Sequence, residues 1–180
     1  MLSQTSLKII VLATLLFIVT SSDFLIKKED DGNDGYKLAT FTAYWSYADC
    51  CKDLPNYDPK ANTDECTDFS ACKYSGGFAA IGHKSIDWLK KNSVIAFYDN
   101  SDPDGKNFLT KYGGKTIHLR KNGITFDAII ADTCGNDDCN GCCSKAKHGI
   151  LVDMEYWTVI QNLGSLDKVD GGDIEYKIDY

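Results

Sequence analysis

The cysteines constrain this chain more than any other feature. There are 8, all beyond residue 49, and four of them stand as adjacent pairs, Cys50-Cys51 and Cys142-Cys143. Neighbouring cysteines point their thiols towards different partners, so each pair draws separate segments to one place. An even count fits a disulfide framework in an oxidising compartment. Its members are Cys50, Cys51, Cys66, Cys72, Cys134, Cys139, Cys142 and Cys143. Spacing alone does not choose among the pairings. Cys134, Cys139 and Cys142 also have the spacing of a plant-type iron–sulfur site, and four clustered thiols suit zinc. Both require reduced thiolates, and no cysteine follows Cys143 to complete the iron–sulfur set. Disulfides that staple loops around a groove are the expected state, with no metal and no cofactor.

The N-terminus points to the same compartment. Lys8 leads into an apolar run from Ile9 to Val19, closed by Thr20-Ser21-Ser22. That is the pattern of a secretory signal peptide over residues 1–22, with an uncleaved signal anchor as the alternative. The run is shorter than the roughly 20 apolar residues of a membrane span. A secreted, extracellular product with no membrane attachment after cleavage is therefore expected. The formal net charge is -7. Nucleic acid and anionic lipid are poor partners for such a surface, because both are held through Lys and Arg. Neutral or cationic partners remain, uncharged polysaccharides among them, and the chain is expected to be a monomer.

Residues 23–37 are charged and glycine-containing and read as a flexible acidic leader. One domain then fills 38–180. "LATFTAYW" reads as a first strand, "GGFAAIG" as a short buried strand, and "SVIAFY" as another. "SIDWLKKN" predicts a short helix capped by Ser85. Two alternating runs flank Asn122-Gly123, a strong hairpin signal. "GILVDMEYWTVIQNLG" predicts a strand running into a helix, and "GDIEYKIDY" a closing strand. Many short strands, one or two short helices and no alternation of strand and helix predict a mostly β barrel or sandwich.

Four ordered segments resemble the six-stranded double-psi β-barrel of expansins, barwin-like proteins, rare lipoprotein A-like domains and family 45 endoglucanases. Thr40-Phe41-Thr42-Ala43-Tyr44-Trp45 resembles the opening strand, and Gly76-Gly77-Phe78-Ala79-Ala80 the glycine-rich strand after the first cysteine loop. Ile129–Cys134 resembles the expansin strand ending in Asp-x-Cys, and Ile150–Met154 the strand ending in His-Phe-Asp-Leu. The resemblance covers nearly all of 38–180. In the endoglucanases an aspartate in Tyr-Trp-Asp-Cys-Cys-Lys activates water, and here Asp49 stands in that place with Ser46, Tyr47 and Ala48 let in before it. Asp153 falls on the general acid, with Leu151 where the family has histidine, and Asp132 on the expansin Asp-x-Cys aspartate.

The resemblance thus implies Asp153, Asp49 and Asp132 as catalytic candidates. Thr42, Tyr44, Trp45, Tyr47, Tyr156 and Trp157 are the candidates for binding sugar rings. Inverting hydrolysis needs a protonated carboxyl and an ionised one about 6.5–9.5 Å apart. Val152 and Met154 are apolar neighbours that would raise the acid's pKa. Blander roles stand beside these: Asp153 as a helix cap, Asp132 as a turn residue, Asp49 as a loop residue, Tyr156 and Trp157 as core. The function implied is a secreted, expansin-like barrel that binds a glucan-type cell-wall or matrix polysaccharide without hydrolysis. The alternatives are a small inverting endoglucanase using Asp49 and Asp153, and a non-catalytic secreted effector or matrix protein.

Overall fold

The computed structural model describes residues 34–68, 70–136 and 141–179. The expected signal peptide, most of the expected leader and Cys139 lie outside the described residues. Six strands form, most where apolar and polar residues alternate and β2 where an apolar run is buried on both faces: β1 (Lys37–Tyr44), β2 (Val94–Asp99), β3 (Thr116–Lys121), β4 (Ile124–Asp132), β5 (Ile150–Glu155) and β6 (Asp173–Ile178). Four helices are short: α1 (Asp64–Thr67), α2 (Ile86–Leu89), α3 (Phe108–Lys111) and α4 (Tyr156–Leu163). Local chemistry sets several boundaries. Asn122 and Gly123 take φ of 52° and 79°, the left-handed pair that a two-residue hairpin turn between β3 and β4 requires. The Ser85 side chain accepts from the Trp88 N–H and opens α2. Gly164, at φ 81°, closes α4.

The strands close into a ring in the order β1-β5-β2-β4-β3-β6. β1 runs parallel to β5 and β2 parallel to β4, while the other four pairings are antiparallel. Parallel neighbours need long crossover connections, and these carry the loops and helices outside the ring. Phe41, Ile95, Phe97, Ile117, Leu119, Ile130, Val152 and Met154 belong to the main buried core. Alternation then turns Thr42, Tyr44, Asp153 and Glu155 to the outer side of β1 and β5. A second core of Phe78, Leu89, Val94 and Ala131 lies under the loops, with Tyr44, Tyr47, Trp88 and Trp157 packed against it.

The cysteine framework follows the reading from adjacency. Cys50 bonds Cys66 and Cys51 bonds Cys72, so the first pair does reach two partners. Cys134 bonds Cys143 and Cys142 is also disulfide-bonded. The thiols that lie close enough to hold a metal are those of Cys50, Cys51 and Cys66, and of Cys134, Cys142 and Cys143. All are in disulfides, as befits an oxidising environment. No helix among the described residues is long and apolar enough to cross a membrane.

The expected strand at "GGFAAIG" is not a strand. Residues 76–82 form turns, with Gly76 at φ 66°. The ring explains this: β4 already pairs with β2 and β3, so no edge is open to a further ladder. A lone bond from the Ala80 N–H to the Ala131 carbonyl remains, and Phe78 is buried in the second core. At the start of the domain, Asp34 and Tyr36, read as leader, lie against Arg120. Its guanidinium reaches the Asp34 carboxylate at 2.8 Å and stands 4.3 Å above the Tyr36 ring.

Candidate functional site

One row of residues crosses four neighbouring strands. Thr42 on β1 is in register with Asp153 on β5, Asp153 with Ala96 on β2, and Ala96 with Asp132 on β4. The last pairing depends on a one-residue shift in the β2–β4 ladder between Ile95 and Ala96. Strict alternation along β4 would send Asp132 to the side of Ile130, in the core. The extra residue, Ala131, turns Asp132 to the side of Ala96 and Asp153. All four row residues line one cleft of about 420 Å³, together with Tyr44, Thr133 and the disulfide-bonded loop at Cys134 and Cys142. Ala96 has only a methyl, so the space between the carboxylates stays open.

The chemistry of this cleft centres on Asp153. Its pKa is pushed up to about 6, chiefly because the carboxyl is withdrawn from water, with the Asp132 charge adding to the effect. The Thr42 hydroxyl opposes the shift by donating to Asp153 Oδ1 at 2.7 Å. Thr42, read as a sugar contact, is thus first a partner of the acid. Asp132 Oδ1 accepts from the Thr133 N–H at 2.9 Å and from the Ala79 N–H at 3.3 Å. The turn role and the cleft role therefore coincide in Asp132. Tyr44 lines the same cleft with its hydroxyl buried and without a hydrogen-bond partner among the described residues. Burial, and then the carboxylates of Asp132, Glu155 and Asp153, hold its pKa well above the usual tyrosine value, so it stays neutral and able to donate.

A second, larger groove of about 1200 Å³ is lined by the residues that directly follow β1 and β5. Trp45, Tyr47, Asp49, Tyr156 and Trp157 all line it. Trp45 and Tyr156 stack with centroids 5.6 Å apart and planes at 25°, and Trp157 meets Tyr156 edge-on at 4.8 Å. Trp157 also packs against the second core, so it joins platform and core roles. Tyr47 is held in place, its hydroxyl donating to the Lys84 carbonyl at 2.6 Å. A Cβ at Gly76 would meet that tyrosine ring, which is why glycine stands there.

The three residues before Asp49 are an anchored turn. Ser46 and Ala48 are buried, and the Ser46 hydroxyl donates to Glu155 Oε1 at 2.7 Å. Asp49 emerges exposed on the groove wall, its own carbonyl accepting from the Asp58 N–H at 2.8 Å. Asp49 and Asp153, the pair that the endoglucanase reading joins, therefore line different clefts.

Sequence reasoning passed over Glu155. Its side chain is 1% exposed, and Oε2 accepts from the Trp157 N–H at 2.7 Å, so Glu155 is the cap of α4. The capping role offered for Asp153 thus belongs to its neighbour two residues on. Burial raises the Glu155 pKa to about 7 against the pull of Ser46 and the helix N–H groups. Glutamate is a poor N-cap by preference, so nothing local announced it. No protein-family model and no curated protein matches the sequence.

Proposed function

We propose that the chain is a secreted, expansin-like double-psi β-barrel that binds cell-wall or extracellular polysaccharide without hydrolysing it. The closed six-stranded ring with two parallel pairs supports the barrel part of this reading. The disulfides support an oxidising destination. One observation carries the function: Thr42, Asp153 and Asp132 line one cleft, and the residues that directly follow the same two strands, β1 and β5, supply the stacked Trp45–Tyr156 pair of a second groove. Sugar C–H faces stack on such rings, and the unpartnered Tyr44 hydroxyl offers a donor to a ring oxygen or hydroxyl. Asp49 lines the other groove, so the reading without hydrolysis does not require it as a base for Asp153.

Sedimentation with insoluble cellulose and chitin tests this reading. The mature protein is expected in the pellet, and Trp45→Ala is expected to weaken retention about tenfold, which corresponds to ~1.4 kcal/mol. Retention on no glycan would favour an effector or matrix protein on the same barrel. Hydrolysis is a second reading, favoured by the Asp153 carboxyl, whose pKa of about 6 suits a general acid. In that case Asp132, which shares the cleft, is the candidate partner.

A further inference from the structure

The aromatic groove has a charge pattern that stacking alone does not require. Asp49 and Asp64 reach it from the disulfide-stapled loop and Asp87 from α2, and all three are exposed. None of the three is in an ion pair among the described residues. Among the described residues, the one cationic side chain lining the groove is Lys90, which is drawn over the face of Trp157, with Nζ 4.8 Å from the ring centroid. Among the described residues, three exposed carboxylates from two separate segments thus line the groove against one ammonium.

We infer that this groove prefers glycans bearing protonated amines, such as glucosamine polymers with free amino groups, over neutral glycans of the same backbone. The inference rests on the glycan-binding reading above and names the ligand class of that same groove. A sugar ring stacked on Trp45 and Tyr156 directs its substituents sideways, towards the walls that carry the carboxylates. An ammonium there meets complementary charge, while a hydroxyl gains only an ordinary hydrogen bond. A uronate would meet repulsion from the same groups. Partly exposed charges act over about 8–10 Å at moderate salt, so the preference is salt-sensitive.

The test is titration calorimetry of the mature protein with chitosan oligomers and with cello-oligomers of equal length. Mildly acidic buffer keeps the amines protonated, and each titration is run at low and at high salt. The amino-sugar oligomer is expected to bind at least tenfold tighter at low salt. High salt and the double variant Asp64→Asn/Asp87→Asn are each expected to reduce that ratio severalfold. Equal affinities, or a ratio that survives both changes, would overturn the charge inference and leave glycan binding intact. Binding of neither oligomer would overturn both readings. Polylysine binding as tightly as the amino-sugar oligomer, with Trp45→Ala leaving the latter unaffected, would mean that the groove reads charge without sugar, which also defeats the inference.

Discussion

Asp153 and Glu155 stand two residues apart on the same outer side of β5, and burial raises the pKa of both. Their surroundings separate them. Glu155 is sealed: one oxygen takes the Ser46 hydroxyl, the other takes the first turn of α4, and almost none of the side chain meets water. Asp153 has the Thr42 hydroxyl on one oxygen and a cleft in front of it, with the idle Tyr44 hydroxyl on the cleft wall. A raised pKa therefore does not distinguish a structural carboxyl from a candidate functional one in this barrel. Saturation with donors makes Glu155 a cap, and open space makes Asp153 a candidate acid.

Removing each carboxyl sharpens or breaks that contrast. Glu155→Leu should have the largest effect, because it orphans the buried Ser46 hydroxyl and the first N–H groups of α4. A loss of about 2–4 kcal/mol is expected in urea denaturation, with glycan binding falling only as folding does. A variant as stable as the parent would show that the cap is dispensable.

Asp153→Asn should act in the opposite direction. A carboxyl whose folded pKa is raised to about 6 favours the neutral form, so the native protein loses stability as pH climbs from the unfolded value near ~4 towards 6 and stays lower above that. The asparagine variant should match the parent at pH ~4 and exceed it by about 3 kcal/mol at pH ~7. Denaturation curves at the two pH values decide this, and equal stability at both would remove Asp153 from the class of uncomfortably buried acids. Trp45→Ala, in the neighbouring groove, should leave this pH dependence unchanged while weakening glycan retention about tenfold.

The smallest effect lies away from both sites. His118 bridges Asp127 at 2.7 Å and Asp179 at 2.9 Å, and these two carboxylates hold its pKa above the ordinary value. The stabilisation is full below about pH 6.5 and fades as pH rises through the raised folded value. His118→Gln should lose roughly 0.5 kcal/mol in mild acid, less in alkali, and nothing in glycan binding. A change in binding would mean that the site extends past β1, β5, β2 and β4 to β3.

Much of the fold was legible because it is written in local chemistry. Asn122-Gly123 requires a tight hairpin, Ser85 caps α2, and the alternation in "ILVDME" separates Val152 and Met154 from Asp153 and Glu155. The adjacency of Cys50 and Cys51 was enough to exclude a common partner. What escaped is non-local. Nothing in "GGFAAIG" says that the neighbouring strand has both edges occupied, so a sequence fit for a strand is left as turns. The extra residue at Ala131 reverses the side on which Asp132 emerges, and it exists only in the pairing with β2. Ser46 became important through Glu155, 109 residues away, and no spacing rule connects them.

The central claim is that Asp153 and the aromatic platform bind glycan without turnover. The most direct measurement incubates the mature protein with soluble β-1,4-glucan and follows newly formed reducing ends, with the bound fraction measured in parallel. The account predicts binding and no release of reducing ends above the buffer control. Steady release that disappears in Asp153→Asn, with binding retained, would contradict it and make the protein a hydrolase.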